Sequence, residues 1–310
     1  MFGTRFQRLI HHTCCNFAVT KKSHLVKLRK KTGLSFSNCK KALEASDNDF
    51  VKAEQWLKEK AQALGWAKAA EVEGKKATKG LIGLAVDKTH AALIEINCET
   101  EFITRNKQFQ SLIELAANSC LNHSKEKSEP GKHFSRLYLD TDSLKQLTTS
   151  DGKTLADHTA LVIGVVGENL QLKRATCIAV GQRLRLTGFI HPASDLRSSP
   201  LLGDYGSILV YKPHTNSKSI PDVVRQLCQH IIGMNPSRIG SISEDSPAED
   251  TDFETVMIFQ EFLFNPEVTI QQVLDVYRLD IVGFERYECG ELYRRKKNDV
   301  LETESIKTGC

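Results

Sequence analysis

The amino-acid sequence predicts an α+β fold, in which a three-helix bundle precedes a core of two related subdomains. The bundle is predicted because three short helical patterns lie within residues 24–66. The core is predicted because a pattern of two strands followed by a helix occurs twice, at about residues 81–120 and 184–233, with little residue identity between the copies. Two units are too few for a repeat array, so we interpret them as subdomains, each an antiparallel sheet with packed helices.

Polar capping residues and a glycine mark the limits of the three predicted helices. Gly33 stands where a left-handed residue commonly ends a helix, after Leu25 and Leu28 on one face. Cap candidates precede the helices in order: Ser23; Ser35 or Ser37; and Asp47, Asn48 or Asp49. The following residues 67–80 are rich in Lys, Ala and Glu and end in glycine, and are predicted to form a helical linker.

The first core subdomain, residues 81–183, is predicted to begin with a hairpin and a helix. The two strand patterns are LIGLAV and AALIEINC, joined by the polar turn DKTH. The helix pattern consists of apolar residues at i, i+3, i+4 and i+7: Phe109, Leu112, Ile113 and Ala116. A surface loop is predicted at 124–133, a second helix after Thr154, and strand-like alternation from ENLQLKR onward.

The second core subdomain, residues 184–291, shows the same order of predicted elements. Two strands, LRLTGFIH and GSILVYK, precede a helix capped by Ser219 with Pro221 near its first position. The remaining elements are an acidic loop at 241–252, a helix with a capping box of Thr269 and Gln272, a last strand LDIVGFERYECG, and a charged tail at 292–310.

The amino terminus, residues 1–23, is predicted to be a mitochondrial targeting segment. It contains four basic residues and no carboxylate, since the first acidic residue of the chain is Glu44. Apolar residues that can share a helical face with arginines opposite, without a continuous apolar stretch, are typical of mitochondrial targeting and not of secretion. The alternative is a basic tail with no targeting role.

Charge and hydropathy argue against two classes of partner. The whole chain has 42 Lys and Arg against 38 Asp and Glu, so without the four basic residues of the amino terminus the balance is 38 of each. Residues 24–310, which carry no net charge, lack the positive field that drives binding to phosphate backbones. No direct nucleic-acid partner is therefore expected. No apolar run reaches the roughly 18 residues of a membrane span, so no membrane partner is expected either.

The sequence contains no recognisable catalytic motif. Phosphate-loop, serine-nucleophile, zinc-protease and dinucleotide-binding signatures are absent, and the histidines are dispersed. The nine cysteines include no C-x-x-C pair, which is typical of a reducing compartment and not of a disulfide framework or a zinc site. We therefore expect a protein that is not an enzyme and that uses no cofactor and no metal ion.

The stretch INCETEFITRN leaves the orientation of one aromatic ring open. Phe102 lies between a strand pattern and a helix pattern, flanked by Glu101 and Arg105. Its ring either packs into the core, as a ring at a corner often does, or points outward to a partner. Glu101, by its pattern alone, is a solvated or helix-capping carboxylate.

Four segments in order along the chain carry a family resemblance: HLVKLRKKTGLSFSNCKKALEASDNDFVKAEQWLKEKA, INCETEF, GENLQLKR and DIVGFERYECGE. Together they resemble the elongation factor Ts family, the exchange factors of elongation factor Tu, and its organellar members in particular. The first is similar to the family's amino-terminal module and to ubiquitin-associated (UBA) domains. The resemblance covers about residues 24–291 and implies a UBA-like bundle followed by the two-subdomain core.

The resemblance also implies a function and a set of site residues. It implies a non-catalytic guanine nucleotide exchange factor that binds mitochondrial elongation factor Tu, as a 1:1 heterodimer in the mitochondrial matrix. Phe102 matches the family aromatic that inserts between helices of the GTPase near its magnesium site, and Glu101 matches the acidic residue beside it. His191, in GFIH, matches by order along the chain a histidine that touches the GTPase.

Two departures from the family pattern limit what the resemblance implies. The family corner commonly reads Asp-Phe, whereas Glu101 is one methylene longer with the same charge. Bacterial members carry a long helical hairpin before the last strand, and this chain has only a short segment there, so contacts or dimerisation through that hairpin are not expected.

Two other functions compete with the exchange factor. One is an adaptor whose first domain binds ubiquitin-like partners, with the core as a scaffold. The other is an RNA-binding translation protein, which the neutral charge of residues 24–310 argues against.

Overall fold

The computed structural model describes residues 16–128, 133–192, 200–215 and 218–291, with side chains described from His24 onward. Three helices come first, followed by two antiparallel sheets that share an apolar layer and carry helices on their outer faces. This architecture confirms the predicted α+β class. The predicted tail at 292–310, and the part of the predicted targeting segment before residue 16, lie outside the described residues.

The three predicted helices of the amino-terminal bundle are present. They are α1 (Asn16–Thr32), α2 (Phe36–Ala45) and α3 (Phe50–Val72). The Ser35 and Asp49 side chains accept hydrogen bonds from backbone N–H groups in the first turns of α2 and α3, so these two residues are the caps. Gly33 follows α1 with a φ of +72°, as predicted for a left-handed C-terminal residue.

The predicted start of the first helix is wrong, and the third helix continues into the predicted linker. Ser23 lies inside α1 and does not cap it, because the helix is already formed at Asn16 and a single cap signal does not interrupt a propagating helix. α3 continues beyond residue 66 to Val72, which is buried in the core beneath the first sheet. The first residues of the predicted helical linker, 67–72, are therefore helical and continue α3.

The first sheet has five strands in the order β3-β4-β2-β1-β6, each antiparallel to its neighbour. The strands are β1 (Lys79–Val86), β2 (His90–Cys98), β3 (Phe134–Asp140), β4 (Leu170–Val180) and β6 (Leu201–Gly203). Three helices pack on its outer face: α4 (Lys107–Lys127), α5 (Thr141–Gln146) and α6 (Leu155–Val166). The predicted β1–β2 hairpin, the α4 helix behind it and the helix after Thr154 are thereby confirmed.

The predicted loop at 124–133 begins too early. α4 runs to Lys127, because its buried face continues through Leu121 and Ser124. Strand β3 and helix α5 were not predicted from the sequence.

The second sheet has three antiparallel strands in the order β10-β7-β5. They are β5 (Arg185–His191), β7 (Tyr205–Pro213) and β10 (Leu279–Glu288), with α7 (Ile220–Met234) and α8 (Ile270–Tyr277) on the outer face. The chain between α7 and α8 forms two 3₁₀ helices and a small hairpin: Thr251–Phe253, Met257–Phe259, β8 (Glu261–Phe262) and β9 (Asn265–Thr269). The predicted capping box of Thr269 and Gln272 is present at α8.

Strand β6 crosses the predicted division between the subdomains at residue 184. Although it follows β5 in the chain, it pairs with β1 of the first sheet, with Gly83 opposite Leu202. The two sheets are therefore joined by an exchanged strand as well as by packing.

The strands alternate between the layer shared by the two sheets and the outer layers, as period-two side chains require. Ile82 and Leu93 of the first sheet meet Ile208 and Val210 of the second sheet in the shared layer. Outer layers lie beneath α4 to α6 on one side and beneath α7 and α8 on the other. Across the described residues, none of the helices is both long and apolar enough to span a membrane.

Candidate partner-binding site

Phe102 projects outward from a short 3₁₀ helix, Glu101–Arg105, at the corner between β2 and α4. Its side chain is 84% exposed, whereas the next residue, Ile103, packs against the core of the first sheet. Successive residues of a 3₁₀ helix point about 120° apart, so one of these two side chains turns inward and the other outward. The alternative in which Phe102 packs into the core is excluded.

Hydrogen bonds within the corner fix the path of its backbone. The Thr104 hydroxyl donates to the Glu101 carbonyl oxygen at 2.8 Å, and the Gln110 side chain donates to the Thr104 carbonyl oxygen at 3.0 Å. The Asn106 side chain accepts from the N–H of Gln108 at 2.8 Å and so begins α4. Hydrogen bonds therefore fix the backbone of the corner on both sides of Ile103, and Phe102 lies on an ordered turn.

The corner segment INCETEF contacts the central segment GENLQLKR. The side chain of Glu168 accepts two hydrogen bonds from Thr100, and the backbone N–H of Asn169 donates to the side chain of Glu99. Gly167 brings the chain into this position, since it ends α6 in the left-handed region with a φ of +79°.

The carboxy-terminal segment DIVGFERYECGE joins the same region through a buried polar network between the sheets. Arg174 Nε donates to Glu95 Oε2 at 2.7 Å, and the Gly290 N–H donates to Glu95 Oε1 at 2.8 Å. The Arg174 guanidinium also lies over the Tyr287 ring, 4.1 Å from its centre, and the Tyr287 hydroxyl hydrogen-bonds Thr176 at 2.8 Å. Three of the four segments that resemble the family therefore meet beneath the corner.

A cleft of about 630 Å³ lies beside the corner, and each of the three predicted site residues either lines it or is next in the chain to a residue that lines it. Glu101 and Arg105 line one part of the cleft, and Pro192 and Asp204 line another. His191, the last residue of β5, is exposed and immediately precedes Pro192. The structure therefore places Glu101 in the lining of the cleft, and Phe102 and His191 directly follow and precede lining residues in the chain.

The thiols near the corner are protonated at neutral pH. Burial raises the pKa of Cys98 to about 12, with a further contribution from the nearby Glu168 carboxylate. Burial likewise raises the pKa of Cys289, which lines the cleft, to about 12. Neither thiol is therefore an activated nucleophile. Within the described parts of the chain, no group of three or more His, Cys, Asp or Glu side chains is arranged to hold a metal ion.

The structure adds residues that the sequence reasoning did not select. Thr100, Glu168 and the buried pair Glu95–Arg174 support the corner through hydrogen bonds within the chain. Glu95 is unusual because a carboxylate interrupts an otherwise apolar strand pattern, and that interruption is a signal the sequence does contain.

Comparison with known protein families assigns the chain. The family model described as elongation factor Ts, mitochondrial, N-terminal matches residues 7–67, and the model described as elongation factor TS matches residues 99–251. The match covers the bundle, the corner, the central segment and most of the second sheet. The chain belongs to the elongation factor Ts family.

Relatives of similar length resemble the chain over most of its residues. A protein of Aedes aegypti named elongation factor Ts, mitochondrial, is 45% identical over 296 residues, covering 94% of this chain and 96% of the relative. Proteins of the same name from Drosophila melanogaster and Homo sapiens are 38% and 37% identical, covering 96% and 88% of this chain and 96% and 85% of the relatives.

Proposed function

We propose that this chain is a guanine nucleotide exchange factor for mitochondrial elongation factor Tu, and that it promotes GDP release during translation elongation. Membership of the elongation factor Ts family supports the proposal. The observation that carries it is the 84% exposed ring of Phe102 on an ordered corner. An exposed aromatic on a rigid turn is suited to be an anchor in a partner's pocket.

Exchange of this kind is a coupling between two binding events and needs no bond to be made or broken. A factor that binds the nucleotide-free GTPase more tightly than the GDP form must weaken GDP binding by the same free energy. A thousandfold weakening requires about 4 kcal/mol of differential binding. Truncating a well-packed aromatic anchor costs about 2–4 kcal/mol of binding free energy. Phe102 can therefore supply a large part of the required differential binding, and other contacts supply the rest.

In the proposed complex, Phe102 inserts between helices of the GTPase near its magnesium site and displaces the groups that hold GDP. The Glu101 carboxylate lies beside Phe102 in this complex. Its negative charge competes with the phosphates of GDP for the magnesium ion. His191, which precedes Pro192 of the cleft lining, makes a further contact. GTP then occupies the vacated pocket, and the chain itself is not an enzyme.

The rest of the chain fits the same proposal. The amino-terminal bundle is UBA-like and docks on the GTPase, and residues 1–23 direct the protein to the mitochondrial matrix. The relatives are named mitochondrial, which supports the mitochondrion as the location. One chain binds one GTPase, and no dimerisation through a long helical hairpin is expected, since the chain between α7 and α8 forms short 3₁₀ helices and a small hairpin.

The direct test follows the release of fluorescent GDP from purified mitochondrial elongation factor Tu after addition of the full chain. We expect release to accelerate in proportion to the amount of complex formed, and to saturate near equimolar ratio at concentrations above the Kd. If the chain binds a ubiquitin-like protein and leaves GDP release unchanged, the adaptor function replaces the one proposed here.

A further inference from the structure

Glu168, one residue beyond the glycine that ends α6, holds the backbone two residues before Phe102. Its Oε1 accepts from the Thr100 hydroxyl at 2.7 Å, and its Oε2 accepts from the Thr100 N–H at 3.0 Å. The Thr100 carbonyl oxygen accepts from Cys98 Sγ at 3.2 Å and from the Ile103 N–H at 3.3 Å. All polar atoms of Thr100 are therefore bonded within the chain, and the two bonds to a carboxylate are of the stronger, charge-assisted kind.

Thr100 occupies the position that precedes the 3₁₀ helix, where a threonine side chain would ordinarily cap the first turn. Here the side chain makes no capping bond, and its hydroxyl donates to Glu168. The orientation of the 3₁₀ helix is thus set by a side chain that is 68 residues away in sequence. The exposed ring of Phe102 has little packing of its own, so its direction depends on this backbone.

A second bridge runs between the same two segments. The Asn169 N–H donates to Glu99 Oε1 at 2.6 Å, and the Asn169 side chain donates to the Lys75 carbonyl oxygen at 2.7 Å. Lys75 Nζ in turn lies 3.7 Å from Glu99 Oε1. Residues 99 and 100 are therefore bonded to residues 168 and 169 in both directions, and Lys75, in the linker before β1, contacts both segments.

We infer that Glu168 is a positioning residue, which holds Thr100 so that Phe102 already points outward before the GTPase arrives. This inference rests on the proposed function, since it assigns Glu168 a role in presenting the anchor. A pre-organised anchor binds more tightly because less conformational entropy is lost on association. Without Glu168 the corner still exists, but its ring samples other directions.

The experiment measures fluorescent GDP release from mitochondrial elongation factor Tu as a function of the concentration of the full chain. We expect Glu168→Ala to raise the concentration for half-maximal acceleration roughly tenfold. Glu168→Gln should stay within roughly threefold of wild type, because its amide oxygen accepts the Thr100 N–H while its NH₂ donates to the hydroxyl. Thr100→Val removes only the hydroxyl bond, gives an intermediate effect, and serves if Glu168→Ala does not fold.

Two further measurements separate positioning from general stability or direct contact. Hydrogen exchange of the amides at residues 100–106 in the free chain should speed up in Glu168→Ala and not in Glu168→Gln. In a Phe102→Ala background, Glu168→Ala should cause a clearly smaller loss than it does in the wild type, because the ring is gone and only the neighbouring Glu101 remains to be positioned.

The outcomes distinguish the two proposals. A Glu168→Ala effect that keeps its full size without the Phe102 ring would overturn the positioning role. So would a wild-type response of Glu168→Ala beside a strong effect of Phe102→Ala, and in that case the exchange function would stand. If Phe102→Ala itself has no effect, both proposals fail.

Discussion

Gly65 of α3 and Gly164 of α6 lie against each other where the two helices cross, and a β-carbon on Gly164 would sit 2.9 Å from the Gly65 Cα. A β-carbon on Gly65 would sit 2.5 Å from the carbonyl oxygen of Ala160. Beside this crossing, Trp66 Nε1 donates to Asp157 Oδ1 at 3.2 Å. The amino-terminal bundle is therefore fixed to the helix whose end supports the corner, and the two parts of the proposed docking surface are held together.

This crossing predicts that Gly65→Ala destabilises the protein. Alanine favours a helix over glycine by about 1 kcal/mol, but here its methyl group meets backbone atoms that cannot move without separating the helices. Overpacking of this kind costs about 1–3 kcal/mol, so we expect a net loss in the free energy of unfolding, measured by urea denaturation.

Gly233→Ala in α7 is the matched control. The nearest atom to its new methyl group is Leu263 Cδ2, at 3.3 Å, at the end of a half-exposed side chain that can move. We expect no loss, or a small gain, in stability. Equal effects of the two substitutions would show that the α3–α6 crossing is not tightly packed.

The buried pair of Glu95 and Arg174 beneath the corner predicts a larger loss in the free energy of unfolding when Arg174 is removed. Glu95 is fully buried, and Arg174 Nε is its charged partner at 2.7 Å. Arg174→Ala leaves the carboxylate buried and without its cation, which costs about 3–5 kcal/mol in the free energy of unfolding. Chemical denaturation checks this, with Lys40→Ala as a control, since Lys40 forms only an exposed pair with Glu44. A loss for Arg174→Ala as small as that for Lys40→Ala would contradict the assigned role of the network.

His230 predicts a stability loss in acid. Burial lowers its pKa from 6.5 to about 4, and its ring is hydrogen-bonded to Gln260 at 3.0 Å and to the Leu263 N–H at 3.3 Å. Between these two pKa values the unfolded chain binds a proton that the folded chain does not, so stability falls as pH falls from 6.5 towards 4. At pH 5 the loss from this group is about 2 kcal/mol.

The measurement is urea unfolding at pH 7.5 and pH 5 for the wild type and for His230→Gln. Other titrating groups contribute to both proteins, so the difference between their pH dependences isolates His230. We expect the variant to lose about 2 kcal/mol less than the wild type between the two pH values. An unchanged pH dependence in the variant would show that His230 titrates normally in the folded protein.

Local signals in the sequence predicted most of the helices and strands. Ser35 and Asp49, which were among the predicted cap candidates, and Thr269 all cap helices, because a cap depends on residues two or three positions apart. The errors lie where distant packing decides. α4 runs to Lys127, past the start of the loop predicted at 124–133, because its buried face continues through Leu121 and Ser124.

The candidate site also has a part that the sequence predicted and a part that only the structure shows. The sequence offered Phe102 as an exposed or a buried ring, and the structure decides in favour of the exposed one. The contact between Glu168 and Thr100 joins residues 68 positions apart, and strand β6 pairs with β1 across more than a hundred residues. Such pairings depend on the folded arrangement of the sheets, which single-sequence periodicity does not contain.

The most direct measurement of the central claim compares Phe102→Ala with Phe253→Ala in the release of fluorescent GDP from mitochondrial elongation factor Tu. Both rings are strongly exposed, at 84% and 77%, so both variants should unfold at the wild-type midpoint. We predict that Phe102→Ala slows the accelerated release by at least about 30-fold, equivalent to an anchor worth about 2 kcal/mol, and that Phe253→Ala releases GDP like wild type. Wild-type acceleration by folded Phe102→Ala would contradict the account.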